Sequence, residues 1–482
     1  MSANAIQKRI GLLIGDELDW PDALEALAKR MGSTYTWRGK TYEVDLSRVR
    51  IDPFDLRDQS KYDLVIDRLA YWHFTPREWL KKAALVNDTY LLNNPFTFQS
   101  MEKHSAYCAA LRLGLKVPDT WLIPAKNAPE GYKEKFEKTA ARYHDLFDLG
   151  TIAKKIGYPV FMKPFDGGGW RDVTKIDTPP QLADAYDRSG TEIMHLQKGI
   201  ADYEVFTRSL AIGPQVISLR FRPEEPQHKR YEINHRFLDE EAGREVRTIT
   251  KLINAFFRWD FNSCETIHKD GVIYPIDFAN ACPDVAVISL HYYFPWAIKA
   301  LLAWSIFCAI TEREMRIAME PRKYFEIGDS DRSYQEKLAA YETMVDEHFQ
   351  KDLFNEFRET TLAHMDDAMH DLVQSSEFEQ ILERTVQEVY PKAEQKAFQG
   401  HFRGLLLHWA ENQPQAAKAE AAKAEAAAKA EPAKAEPAKA AAPKPAAAKP
   451  AAAKPAAAKP ASSKSSGRSK KSKAKPGKRT KK

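Results

Sequence analysis

The chain has 482 residues, more than one hydrophobic core usually organises, so its length predicts two or more folded units. Its formal net charge of +5 hides an imbalance, because residues 413–482 hold 19 Lys or Arg against 4 Glu, which leaves −10 for the remainder. The four cysteines form no CxxC pair and no apolar signal region opens the chain, which argues against a disulfide scaffold or a zinc ribbon and favours a reduced, cytoplasmic setting.

The first part of the chain alternates short apolar runs with helix-like segments. The runs at 10–14, 62–66 and 90–92 predict strands, and the amphipathic pattern at 23–31 predicts a helix. A second helix is predicted at 100–113, where Gly114 provides a left-handed cap. This pattern predicts a small α/β domain over residues 1–124.

Strand-like runs dominate the middle of the chain, which we assign to one domain over residues 125–318. The runs lie at 158–163, 216–221, 262–267 and 272–278, and the last two are joined by Asp270-Gly271, a sequence typical of hairpin turns. The run at 194–200 predicts a connector between two lobes of this domain.

A mostly helical extension is predicted over residues 319–412, with breaks at Pro321 and near Gly328. It follows the apolar run 297–310, which Lys299 interrupts and which is shorter than the roughly 20 residues of a membrane-spanning helix. We therefore predict a buried core helix there and no membrane contact.

One strand end carries a lysine followed by glycines. The run 158–163 ends at Lys163, and Gly167, Gly168 and Gly169 follow closely, so backbone N–H groups could approach anionic oxygens there. Taken alone, a triple glycine is more often a mobile turn and a single lysine a surface charge. Other parts of a nucleotide site are therefore needed to support the interpretation.

Two carboxylates are expected to meet in the Asp270-Gly271 hairpin. In an antiparallel pair centred on that turn, Glu265 and Asp277 lie close to opposite one another, and Asn280 follows. Carboxylate and amide oxygens suit a hard cation such as Mg²⁺, whereas facing carboxylates without a cation repel each other. A hydrogen-bonded surface pair is the alternative.

The order of these parts resembles the ATP-grasp superfamily, which includes D-alanine:D-alanine ligase, biotin carboxylase and glutathione synthetase. The resemblance covers residues 92–309 and implies a two-lobed domain that binds ATP with Mg²⁺ or Mn²⁺. It implies three sets of contacts: phosphates at Lys103, Lys163 and the lid Gly167, Gly168 and Gly169; adenine and ribose at Gln197, Lys198, Ile200 and Glu204; and metal at Glu265, Asp277 and Asn280.

Three departures from the superfamily's pattern stand in this sequence. Gln197 occupies a position where Glu is usual, Asp277 replaces a Glu, and Asn280 comes one residue later than in the usual Glu-x-Asn. The extra residue between Asp277 and Asn280 changes the spacing of these two predicted metal ligands.

The resemblance implies that a small-molecule or peptide carboxylate is phosphorylated to an acylphosphate, which an amine or thiol then attacks. Such sites use an arginine to stabilise the oxyanion, and Arg220, Arg222 and Arg258 are candidates that the sequence does not rank. Two alternatives stay open: an ATP-dependent kinase on the same fold, and a non-catalytic nucleotide-binding protein tethered to nucleic acid by the tail.

The tail, residues 413–482, is predicted to be disordered because it lacks aromatic and branched apolar residues. Its first part, 416–430, resembles helical spacer sequence, and lysine then recurs every five residues from Lys429 to Lys464. The composition resembles the tails of linker histones and some bacterial nucleoid proteins. It predicts salt-sensitive binding to nucleic acid or another polyanion, and so nucleoid association, with a plain solubilising spacer as the alternative.

Overall fold

The structure of the protein is a computed structural model, which describes residues 5–143, 147–166 and 171–429. Met1–Ala422 forms one compact unit, and Lys423–Lys482 is a second unit, of which the structure describes only residues 423–429. The boundaries proposed above at residues 124, 318 and 412 stay predictions. The expected α/β architecture is confirmed, with three sheets and the helices that cover them.

The first sheet has the order β2-β3-β1-β4-β5. Strands β1, β3, β4 and β5 are parallel, and only β2 runs against its neighbour β3. Because the chain passes from β1 to β3 on one side and to β4 on the other, a crevice opens beyond the carboxyl ends of β1 and β4. The strands are β1 (Ile6–Leu13), β2 (Thr34–Trp37), β3 (Lys40–Arg48), β4 (Leu64–Asp67) and β5 (Tyr90–Leu92).

The second sheet is antiparallel, has the order β6-β9-β7-β8 and packs on a small apolar core of its own. Helices α5 (Leu149–Ile156) and α6 (Pro179–Ser189) contact this sheet. The strands are β6 (Thr120–Ile123), β7 (Val160–Pro164), β8 (Thr174–Ile176) and β9 (Met194–Lys198).

The third sheet is also antiparallel and has the order β12-β11-β10-β13-β14. Helix α7 (Glu240–Phe257) packs across it, with its apolar side buried. The strands are β10 (Val205–Ile212), β11 (Gln215–Phe221), β12 (Tyr231–Glu232), β13 (Phe261–Lys269) and β14 (Val272–Ala281). The predicted hairpin at Asp270-Gly271 is confirmed as β13–β14.

Further α-helices precede, connect and follow the strands of the three sheets. They are α1 (Asp19–Met31), α2 (Phe74–Asn87), α3 (Lys103–Arg112), α4 (Lys133–Tyr143), α8 (Val287–Leu290), α9 (Phe294–Ile310), α10 (Pro321–Gly328), α11 (Tyr334–His348), α12 (Lys351–Thr361), α13 (Met365–Gln374), α14 (Ser376–Val389) and α15 (Gln395–Lys429).

Helix α9 confirms the predicted core helix. Within the described residues, the stretch Val287–Ile310 is long and apolar enough to cross a membrane by length and composition, but 89% of its most apolar window is buried inside the protein. It packs among α1, α12, α13, β1 and β4.

The tail departs in part from its prediction of disorder from residue 413. Helix α15 continues past Asn412 to Lys429, as the helical-spacer composition of 416–430 indicates. Residues 430–482 lie outside the described residues.

Candidate nucleotide and metal site

Lys163 lies in β7 with its side chain almost fully buried. It is 7% exposed, and its Nζ donates to Gln197 Oε1 at 2.8 Å and to the carbonyl of Ile276 at 3.4 Å. Burial lowers the pKa of Lys163 to about 8, although the charge of Asp277 works in the opposite direction. A buried cation held largely by neutral acceptors is suited to an incoming anion.

Lys103 begins helix α3 and meets the same region from the other side. Its backbone N–H donates to the carbonyl of Phe165 at 2.7 Å, just beyond β7, and its Nζ lies 3.7 Å from Asp277 Oδ2. Since Lys163 contacts the neighbouring residue Ile276, both lysines converge on strand β14. Their role in phosphate binding stays a prediction.

The two carboxylates of the hairpin face each other. Glu265 on β13 and Asp277 on β14 are register partners, which confirms the pairing predicted from the turn sequence. Burial and the adjacent charge of Asp277 raise the pKa of Glu265 to about 7. A cation between Glu265 and Asp277 would compensate both negative charges. The repulsion between the two carboxylates would then be relieved.

The residues present fit a hard cation, though not by carboxylates alone. Within residues 5–143, 147–166 and 171–429, no three His, Cys, Asp or Glu side chains are grouped to hold a metal ion. A cation at this hairpin would take oxygens from Glu265 and Asp277 and further oxygens from the amide of Asn280 and from phosphate.

Two register shifts in the hairpin account for the displaced Asn280. They lie on either side of Glu265, so β14 holds extra residues relative to β13. Asp277 and Asn280 are both partly exposed, while the two residues between them are buried. The amide nitrogen of Asn280 donates to Ser263 Oγ at 2.9 Å, which leaves its oxygen as the atom suited to a cation.

The prediction of a connector at 194–200 is wrong over most of its length, because 194–198 forms strand β9; residues 199–204 join β9 of the second sheet to β10 of the third. Gln197, near the end of β9, is buried, accepts from Lys163 and donates to Thr120 Oγ1 at 2.8 Å. The amide thus satisfies the lysine without neutralising it, which a glutamate at this position would do.

The remaining residues assigned to adenine and ribose lie at the end of β9 and along the connector. Lys198 is exposed, and Ile200 is partly buried against the core. Glu204 is exposed, and its Oε1 accepts from the backbone N–H of Asp270 at 3.0 Å, so it also closes the β13–β14 turn. The lid glycines Gly167, Gly168 and Gly169 lie outside the described residues.

The three arginines proposed for the oxyanion are held by glutamates. Arg222 binds Glu232 through two nitrogens, and Arg220 lies 3.5 Å from the same carboxylate. Arg258 follows α7 and donates to Glu320 at 2.8 Å, next to the C-terminal helices. Their catalytic role stays a prediction that these contacts do not favour.

Arg208 is a cation that the sequence reasoning missed. It pairs with Glu265 across β10 and β13, whereas Arg220 pairs with the adjacent residue Thr207. Because successive strand residues point to opposite faces, Arg208 lies on the face of Glu265 and Arg220 on the other face. The turn Gly213-Pro214 joins β10 to β11. It is the sequence feature that indicates these two strands.

The surroundings of Arg208 are anionic. Burial lowers the pKa of Arg208, but Tyr231, Glu265 and Asp284 outweigh that effect and raise it. Asp284 also acts on Arg68, which lies at the carboxyl end of β4 and pairs with Glu17 at 3.0 Å. The crevice of the first sheet therefore adjoins the Arg208 side of the site.

The chain is similar to ATP-grasp proteins of known structure. It matches the RimK domain ATP-grasp protein from Sphaerobacter thermophilus with 13% identity and a TM-score of 0.42, over 62% of this chain and 99% of the other. It matches a RiPP-associated ATP-grasp ligase from Chryseobacterium gregarium, in complex with ADP and a leader and core peptide, with 13% identity and a TM-score of 0.38, over 63% and 97%.

D-alanine–D-alanine ligase from Bacillus anthracis, in complex with ATP, matches with 16% identity and a TM-score of 0.41, over 64% of this chain and 98% of the other. No family model matches the chain, and no curated protein matches it at a significant level. At these identities and TM-scores, the assignment of roles depends on the side chains of this chain.

Proposed function

We propose that the protein is an ATP- and Mg²⁺-dependent ligase that activates a carboxylate as an acylphosphate for attack by an amine or thiol. The observation that carries the proposal is the convergence of Lys103 and Lys163 on the hairpin that pairs Glu265 with Asp277. Two buried cations beside two facing carboxylates provide what a metal-bound polyphosphate requires.

In this proposal Lys103 and Lys163 bind the phosphates, and Glu265, Asp277 and Asn280 hold Mg²⁺ or Mn²⁺. The metal, when bound, supplies charge neutralisation on the phosphates. The backbone of the connector 199–204 and the residues before it take adenine, with Ile200 against the base and Glu204 at the ribose.

Arg208 is the arginine that we assign to the oxyanion. In the reaction, a carboxylate oxygen attacks the γ-phosphorus and ADP leaves; the amine or thiol then attacks the acyl carbon, phosphate leaves and the nucleophile loses its proton. Negative charge develops on the acyl oxygen in the second step, and Arg208 lies on the same sheet face as Glu265, where a cation stabilises that charge.

The test begins with the nucleotide. Binding of MgATP is measured by calorimetry for the full chain, followed by ADP release across a panel of small-molecule and peptide carboxylates with amine or thiol acceptors. Hydroxylamine trapping of an acyl group supports the ligase, a stable phosphorylated product supports a kinase, and nucleotide binding without ADP release across the panel supports a non-catalytic nucleotide-binding protein. No binding of MgATP refutes all three.

A further inference from the structure

Each of the two lysines has a histidine beside it, and the two histidines contact each other. His104 follows Lys103 in α3, and His195 on β9 is the register partner of Lys163 on β7. The rings stack with centroids 5.6 Å apart and planes 10° from parallel, and His195 Nε2 lies 3.4 Å from His104 Nδ1. The histidine pair therefore joins α3, which carries Lys103, to β9, the strand that pairs with the Lys163 strand β7.

The hydrogen-bond partners define how this pair is protonated. His195 Nδ1 is buried and has no hydrogen-bond partner among the described residues, and a buried N–H without an acceptor is costly. His195 therefore keeps its hydrogen on Nε2 and donates it to His104 Nδ1. His104 then carries its own hydrogen on Nε2, which faces Cys108 Sγ at 3.8 Å.

A third contact fixes helix α3 between two sheets. Tyr107, one turn after Lys103, places its ring edge-on to His195 with centroids 5.5 Å apart, and its hydroxyl donates to the carbonyl of Ile276 at 2.8 Å. Ile276 is the residue whose carbonyl also accepts from Lys163. Packing alone would explain the buried ring of His195, but it does not require a nitrogen-to-nitrogen bond to the residue after Lys103.

We propose that His195 is a positioning residue, which through His104 sets the distance between Lys103 and Lys163 and so matches the site to a polyphosphate. The inference rests on the proposed function, in which both lysines bind phosphates. Two like charges near one another repel, and the hydrogen-bonded imidazole pair restrains the elements that hold them.

Two substitutions at one position separate positioning from packing. The amide nitrogen of glutamine reaches about as far as imidazole Nε2, so His195→Gln keeps the donor to His104, whereas His195→Asn reaches only the Nδ1 position and loses it. We expect His195→Asn to bind MgATP about tenfold more weakly and AMP unchanged, because one charge-assisted phosphate contact is misaligned. His195→Gln should bind both nucleotides as the unchanged protein does.

His401→Asn is the matched control, since His401 contacts His228 with ring centroids 5.4 Å apart in another part of the fold. Affinities are measured by calorimetry, with melting temperatures recorded for each variant. If the unchanged protein binds MgATP and both His195 variants bind it equally well, the positioning role is wrong. A parallel loss of MgATP and AMP binding with a lower melting temperature would also overturn it. Failure of the unchanged protein to bind MgATP would instead refute the proposed function.

Discussion

Replacing Lys163 by methionine separates the effect of its buried charge on folding stability from the effect of that charge on nucleotide binding. Burial lowers the pKa of Lys163 from 10.5 to about 8, so the charged amine destabilises the folded state at pH 7 by about 3 kcal/mol. Methionine removes this cost but leaves the buried oxygen of Gln197 without its donor, a loss of about 1–3 kcal/mol. We expect the unfolding free energy of Lys163→Met to be unchanged or raised by up to about 2 kcal/mol.

The same substitution should weaken nucleotide binding. A lost charge-assisted contact to phosphate is worth about 1.5–3 kcal/mol, so the dissociation constant for MgATP should rise by about 10- to 100-fold. Calorimetry gives the affinity and urea denaturation gives the stability. Lys392→Met, at an exposed position of the C-terminal part, is the control and should change neither.

The pH dependence gives a second readout of the buried amine. Because the folded pKa lies below the unfolded one, the unfolded state binds more protons between pH 8 and 10.5, and the destabilisation by Lys163 fades as pH rises through that window. The stability difference between Lys163→Met and the unchanged protein should shrink accordingly. Unchanged MgATP affinity of Lys163→Met would show that Lys163 does not bind the nucleotide. If Lys163→Met were far less stable than the unchanged protein at pH 7, the destabilising effect of the buried charge would be refuted.

Three further perturbations address the other parts of the site and the tail. Glu265→Gln should be more stable than the unchanged protein at pH 8, because the pKa of Glu265 is raised to about 7 in the folded state. This gain in stability should be lost as the pH falls from 7 towards 4.5. Urea denaturation at several pH values measures it, and an equal gain at pH 5 would contradict the account. Arg208→Met should slow formation of the ligated product by about 100-fold on an identified substrate while MgATP affinity is kept, with exposed Arg322→Met as the control; equal loss of both would refute its role at the oxyanion. We propose that the tail binds nucleic acid, so deleting residues 430–482, which keeps α15 whole, should abolish salt-sensitive retention on immobilised DNA; retention unchanged by the deletion would refute this.

Local patterns in the sequence were sufficient where structure is local. The β13–β14 hairpin follows from two strand-like runs and Asp270-Gly271, and its register brings Glu265 opposite Asp277. The β2–β3 hairpin was missed, and β10 was not recognised because its residues 205–212 lack a simple alternation of apolar and polar types. The position of Arg208 beside Glu265 depends on the pairing of β10 with β13, which brings together residues far apart in the chain.

The lysines show a second limit of sequence reasoning. Lys103 and Lys163 were identified by resemblance to a superfamily, and the structure brings both to β14. The contact between His104 and His195 has no counterpart in a sequence pattern, because it depends on how α3 packs against β9. Such contacts between elements that are distant in sequence need coordinates.

The departures from the superfamily's pattern are consistent with one another when charges are counted. Two lysines, Lys103 and Lys163, lie beside two acidic side chains, Glu265 and Asp277, so basic and acidic groups are equal in number among these four. A glutamate at position 197, within hydrogen-bond distance of Lys163, would add a negative charge and neutralise the lysine that we propose binds phosphate, whereas Gln197 satisfies the same amine and leaves its charge in place. The shorter arm of Asp277 is matched by register shifts that carry extra residues on β14, so Asn280 is still partly exposed, as Asp277 is. These residues thus have the charge and the exposure that the proposed binding of a metal-bound polyphosphate would require.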